Sequence, residues 1–357
     1  MMKKNIVIIV VLLITTVIIL TMVLTGIFYG SQKVPTAKAE TLTIIATSFL
    51  AGNNEQRLGT GEHSLILKVG DMNRRYIVFV PNNYDGEKLM PVIIMFHGGG
   101  GTAKGAMRET GWAEKADREG FIAVFPEATP PDPTKPSKFG TNGQLWNDGS
   151  GHFHAGEKDI PDVAFINAML DDIIARFAVD SRRIYATGFS NGASMAFRVG
   201  VELSSRIAAI APVAGELWIE QPKLDRAVSL YYITGDADPL NPLEGGIPKL
   251  IPGSEVWEDF SEKPKPPVSE YINTWVRILN CKDEPETAPA SPGFTTLIYG
   301  GGSADTEVRF TTIKDHGHIW PGGVNMLPER LVGKPSDKFK ATDAIWEFFK
   351  EHVQSPK

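Results

Sequence analysis

Ser190 lies between two glycines in the run Gly188-Phe189-Ser190-Asn191-Gly192. The residues before it, "RRIYATG", alternate and carry β-branched and aromatic side chains, as a buried strand does. The residues after it, "NGASMAFRVGVEL", place Met195, Val199 and Leu203 at four-residue steps, the spacing of a helix. A serine on a sharp strand-to-helix turn with a glycine two residues to either side fits G-x-S-x-G, the nucleophile elbow. Gly and Ser also populate ordinary turns. The motif therefore gains meaning only if a general base, an acid to orient it and N–H donors for an oxyanion follow in the right places.

Residues of each kind are present. "YYITGDADPL" offers Asp236 and Asp238 in a turn after a strand, and "IKDHGHIWPGG" offers His316 and His318 after the last strand. The order serine, acid, histidine is the one the elbow fold requires. Each residue also has an ordinary reading, an Asx-turn aspartate or a solvated loop histidine. Spacing places one of each pair in the role without choosing between them. Gly98 to Gly101 in "FHGGGG" close an earlier apolar run, where an HGGG-type loop brings a backbone N–H to the substrate oxygen. The second donor is expected from the N–H of Asn191, the residue after the nucleophile. Trp146 and Trp320 fall in loops at the same sheet edge, either as an aromatic wall for an acyl group or sugar ring or as loop packing. His152 and His154 form an H-x-H, read as solvated or hydrogen-bonded rather than metal-bound. No metal and no cofactor are implied.

The elements needed to hold these residues can be read along the chain. "HSLILKV" and "RRYIVFVP" form an opening antiparallel hairpin through a "GDMN" turn. "PVIIMFHG" and "FIAVFPE" are buried strands separated by a helix over "TAKGAMRETGWAEKADREG", with Gly120 as its C-cap. "DVAFINAMLDDIIARFA" sets Ile166, Met169, Ile173 and Phe177 on one stripe of a helix. "IAAIAPVAG", "AVSLYYITG" and "TEVRFTTI" are further strands, and "SEYINTWVRILN" and "ATDAIWEFFKEHV" further helices. Strands alternating with helices predict a mainly parallel sheet covered on both faces. Two Pro-rich insertions, "ATPPDPTKPSKFGTNGQLWNDGSGHFHAGEKDIP" and "DPLNPLEGGIPKLIPGSEVWEDFSEKPKPP", are long for connections and are expected to build a site.

A net charge of −6 argues against a nucleic-acid footprint, and the single Cys281 excludes an intrachain disulfide. Residues 6–28 are an uncharged apolar run behind Lys3 and Lys4, long enough to span a bilayer as a helix. Its length favours an uncleaved anchor over a cleaved signal, although Ala37-x-Ala39 offers a cleavage site before Glu40. Both readings place the rest of the chain outside the cytoplasm, membrane-anchored or secreted. Residues 1–30 are thus expected to be the anchor or signal, 31–61 a tether and 62–357 the folded domain.

"RRYIVFVPNNYD", "MPVIIMFHGGGG", "VDSRRIYATGFSNGASMAFRV", "GDADPLNPLEGG", "NTWVRILNC" and "GHIWPGG" together resemble the polyhydroxybutyrate depolymerase and feruloyl-esterase-like group of carbohydrate-esterase type, over about residues 62–353. The resemblance implies an α/β-hydrolase fold and a serine esterase acting on carboxylic esters: short acyl, feruloyl or acetyl sugar, or hydroxybutyrate esters. It selects Asp238, just before the proline, as the acid and His318, before x-W-P-G, as the base. It also points to the Gly99 N–H as the first oxyanion donor. Many relatives have paired cysteines near the tryptophan loop. "QLWNDGSGHFHAGEKD" has none, so this loop must be held another way. The alternatives are a serine peptidase on the same fold and a non-catalytic surface binding protein.

Overall fold

A computed structural model describes residues 58–248 and 264–354. The apolar run at 6–28, the cleavage site and most of the tether lie outside the described residues, as does part of the second insertion. Among the described residues no helix is long and apolar enough to cross a membrane.

The chain opens with β1 (Gly61–Val69) and β2 (Met72–Val80), paired antiparallel from Gly61 opposite Val80 to Val69 opposite Met72. The turn is only Gly70 and Asp71, shorter than expected, and Gly70 takes a φ of +58°. Then follow β3 (Met90–Phe96), α1 (Ala103–Thr110), α2 (Trp112–Glu119), β4 (Ile122–Pro126), a short α3 (Phe153–Glu157), α4 (Asp162–Arg176), β5 (Val179–Phe189) and α5 (Asn191–Glu202). The rest comprises β6 (Ala209–Val213), β7 (Ser229–Gly235), α6 (Val268–Leu279), β8 (Glu286–Thr287), β9 (Phe294–Tyr299), β10 (Val308–Ile313), α7 (Glu329–Val332) and α8 (Ala341–Glu351). All ten strands join one sheet in the order β1-β2-β4-β3-β5-β6-β7-β10-β9-β8. Its centre, β4 to β10, is parallel, and both margins are antiparallel.

The central strands are apolar throughout because both faces are covered. On β3, Val92, Ile94 and Phe96 enter one core cluster, and Ile93 and Met95 the other. The first cluster takes Phe165, Ile166, Met169 and Ile173 from α4, Phe197 from α5 and Trp275 from α6. The second takes Trp112 from α2 and Ile345, Trp346 and Phe349 from α8. Fully burying one such side chain is worth about 1.5–3 kcal/mol.

The expected single helix over residues 102–120 is two helices. Gly111 adopts φ +67°, ends α1 with its N–H on Met107 O, and redirects the chain so that Trp112 is wholly buried against Phe121. Gly120 caps α2 in the left-handed conformation, as expected. The sequence reading omitted α3, α7 and the antiparallel margin of β8 and β9.

Candidate active site

The elbow forms because backbone packs on backbone. β5 ends at Phe189 and α5 begins at Asn191, leaving Ser190 at φ 55° and ψ −124°, a conformation L-residues rarely take. Ser190 O accepts the N–H groups of Ala193 and Ser194 at 2.8 and 3.1 Å, starting the helix, while Ser190 N–H bonds Val213 O at 3.0 Å. A Cβ on Gly188 would overlap Gly192 O, and one on Gly192 would overlap the carbonyl oxygens of Phe96 and His97. The two flanking glycines are therefore required by contact as well as by motif.

The glycine loop after β3 lies against this turn. A Cβ on Gly98 would stand 3.5 Å from Ser190 Cβ. His97 is buried beneath the loop, and burial lowers its pKa and keeps the ring neutral. Its Nε2 accepts the Ala128 N–H at 3.1 Å, so Nδ1–H is the donor to Gly98 O at 2.8 Å. Gly101 N–H bonds Gly98 O at 2.9 Å and Gly100 N–H bonds Gln144 O at 2.7 Å. The N–H groups of Gly99 and Asn191 have no acceptor among the described residues.

Hydrogen bonding separates the two ambiguous pairs. Asp238, in the turn after β7, is buried. Its Oδ1 accepts the N–H groups of Leu240 and Asn241, both at 2.8 Å, and its Oδ2 lies 2.7 Å from His318 Nδ1. With Nδ1–H committed to that carboxylate, neutral His318 keeps Nε2 as an acceptor. Its ring lies 4.8 Å from that of Phe189, the residue before Ser190. Asp236 is exposed and its Oδ1 accepts the Asp315 N–H at 2.6 Å, joining the acid turn to the histidine turn. His316 is buried: its Nδ1 accepts the Ser336 N–H at 2.9 Å, so Nε2–H donates to Ile319 O at 2.8 Å. Burial lowers its pKa below the ordinary histidine value.

Trp146 and Trp320 require a correction. Both are completely buried, so neither offers an aromatic wall to a substrate. Trp146 packs edge-on to Phe96 and donates Nε1–H to His97 O at 3.0 Å; Trp320 donates to Thr342 Oγ1 at 3.0 Å. The exposed ring beside the glycine loop is Phe139, from the first insertion. It is 42% exposed, and its Cδ2 lies 2.6 Å from where a Cβ on Gly100 would stand.

The cysteine-free tryptophan loop is held by buried polar groups. The Asn191 side chain accepts from Trp146 N–H at 2.8 Å and donates to Trp146 O at 3.2 Å and Asp148 Oδ2 at 2.8 Å. Asp162 accepts the Asn147 N–H at 2.7 Å and pairs with Arg74 at 2.6 Å. Burial raises the carboxyls of both Asp148 and Asp162 above the usual range. Arg198 donates to Asn147 O at 2.7 Å. His154 Nε2 lies 2.9 Å from Thr129 O, and the His152 ring packs edge-on to Trp218. No cluster of three or more metal-ligating side chains occurs among the described residues. The sequence reading missed the side chain of Asn191, His97, Asp148 and Phe139. An amide directly after the nucleophile was the available signal for the first.

Residues 74–244 match the family described as "Esterase PHB depolymerase". NocK of Nocardia uniformis subsp. tsuyamanensis, a protein bearing an esterase name, is 28% identical over 270 residues, covering 72% of this chain and 73% of that protein. Feruloyl esterase B of Piromyces equi is 27% identical over 250 residues, 69% of this chain; the match spans only 42% of that protein. The solved acetyl xylan esterase from Aspergillus awamori superposes with a TM-score of 0.50 at 17% identity, over 72% of this chain and 94% of that one. That likeness concerns the fold, the α/β-hydrolase architecture of a mostly parallel sheet flanked by helices.

Proposed function

We propose, from the match of residues 74–244 to the PHB depolymerase family of esterases, that this chain is an exported serine esterase forming an acyl-enzyme on Ser190. The observation that carries the reading is the buried Asp238–His318 pair, which leaves an acceptor nitrogen on an imidazole packed against the residue preceding Ser190.

In this mechanism His318 Nε2 takes the hydroxyl proton as Ser190 Oγ adds to the ester carbonyl. Asp238 fixes the tautomer and stabilises the imidazolium. The N–H groups of Gly99 and Asn191 receive the oxyanion, a donor of this kind being worth about 3–4 kcal/mol of barrier. The tetrahedral adduct collapses, His318 gives its proton to the departing alkoxide, and water repeats the cycle on the acyl-enzyme.

The substrate class is a carboxylic ester. Phe139 beside the glycine loop supports esters with an apolar or aromatic portion, in line with the feruloyl and hydroxybutyrate esters among those the family implies. The test is a panel of acetyl, butyryl and feruloyl esters and hydroxybutyrate oligomers, run beside Ser190→Ala. Ser190-dependent turnover of at least one class is expected. A folded protein inert toward all of them contradicts the reading.

A further inference from the structure

Trp146 stands between the two backbone segments that present the oxyanion donors, and it is bonded to both. On one side, the Asn191 carboxamide binds the peptide N–H and C=O of Trp146, as a neighbouring strand would, at 2.8 and 3.2 Å. On the other, the indole Nε1–H of Trp146 reaches His97 O at 3.0 Å, at the start of the glycine loop. Gln144 O takes the Gly100 N–H at 2.7 Å, which ties the same strap to the loop a second time. Asp148 Oδ2 takes the remaining Asn191 Nδ2–H at 2.8 Å and fixes the amide's orientation. Trp146, His97, Asn191 and Asp148 are all buried, so water does not compete for these bonds. The elbow and the loop also touch directly, because Gly192 Cα abuts the carbonyl oxygens of Phe96 and His97. Contact therefore limits how close the segments come, and the hydrogen bonds limit how far they part.

We propose that Trp146 and the Asn191 side chain form a tie that sets the spacing of the Gly99 and Asn191 N–H groups, making Trp146 a positioning residue for the oxyanion hole. The proposal rests on the esterase reading above. Oxyanion donors act over a narrow range of about 2.7–3.1 Å, and a displacement near 1 Å costs on the order of 100-fold in rate. Asn191 then serves twice, its N–H toward the oxyanion and its carboxamide toward the strap.

Trp146→Phe deletes the indole N–H and keeps most of the ring volume; Asn191→Ala keeps the backbone donor and removes the carboxamide. Each is expected to lower kcat on a simple ester by tenfold or more, with KM within twofold. The pH midpoint of kcat/KM should stay at its wild-type value, because the Asp238–His318 pair is untouched. Affinity for a trifluoromethyl ketone, to which Ser190 Oγ adds with its proton passing to His318 to leave an oxyanion in the hole, should fall by the factor lost in kcat/KM. The double variant should lose less than the product of the two single losses. Tm and near-ultraviolet circular dichroism accompany each variant, so that if Trp146→Phe does not fold, Asn191→Ala carries the comparison. A lowered Tm with wild-type kcat, a loss confined to KM, or fully multiplicative losses would overturn the tie while leaving the esterase standing. A wild-type protein inert toward every ester would remove the reading beneath it.

Discussion

Asp236 and Asp238 share one turn, and His316 and His318 another, yet the members of each pair have different hydrogen-bond partners. Asp238 and His318 bond each other, while Asp236 Oδ1 and both ring nitrogens of His316 bond backbone groups. His318→Ala is accordingly expected to reduce kcat/KM by at least 1,000-fold on the responsive ester, with His316→Ala costing far less in rate and more in Tm. Larger loss at His316 would reverse the assignment. His316 also makes a pH prediction. Its pKa lies below the ordinary 6.5, so at pH 6.5 the ring is mostly neutral and holds Nε2–H; nitrogen-detected NMR should show that tautomer. Phe139→Ala should reduce kcat/KM for a feruloyl ester by about tenfold and for an acetyl ester by less than twofold; equal losses would mean the ring only supports Gly100. These residues differ in how far the sequence revealed them. The elbow and the two acid and base turns were legible because glycine, order and strand ends are local features. The fate of Trp146 and Trp320 was not, because whether a loop indole faces solvent or core depends on partners distant in sequence, His97 and Thr342.

Glycines at element junctions follow two different demands. At Gly111 the demand is a positive φ, and a Cβ there would meet only Glu114 Oε2, at an ordinary contact distance of 3.8 Å, so Gly111→Ala should cost ~1 kcal/mol and a few degrees in Tm, with activity retained. At Gly192 a Cβ would overlap the carbonyl oxygens of the strand end beneath it, so Gly192→Ala should displace the elbow and abolish turnover even where the protein remains folded. Thermal denaturation and an ester assay on the two variants separate the demands; retained activity in Gly192→Ala would contradict the contact argument. The parallel strands and long helices were legible from apolar runs and helical stripes. The break between α1 and α2 was missed because a helical pattern continues across Gly111, and only the burial of Trp112 requires the turn. The margin strand β9 was missed because "FTTLIY" shows no full inside–outside alternation, its residues being mostly half-buried.

For the whole molecule, one sheet gathers the carboxyl ends of β3, β5, β7 and β10, and the glycine loop, Ser190, Asp238 and His318 follow those four ends in turn. Four short turns at one sheet edge thus assemble a site from residues 98 to 318, which explains why an ordered set of local motifs carried so much of the fold. The apolar run at 6–28 is proposed to retain this domain at the outer face of a membrane. Intact mass of the native protein should equal that of the uncleaved chain, and a mass beginning at Glu40 would mean a cleaved signal. The covalent intermediate can be trapped by acid-quenching the protein during turnover of a butyryl ester and mapping the acyl group by peptide mass. A butyryl adduct on Ser190, absent in Ser190→Ala, is expected. Turnover with the adduct on another residue, or with none as hydrolysis proceeds at full rate in Ser190→Ala, would contradict it.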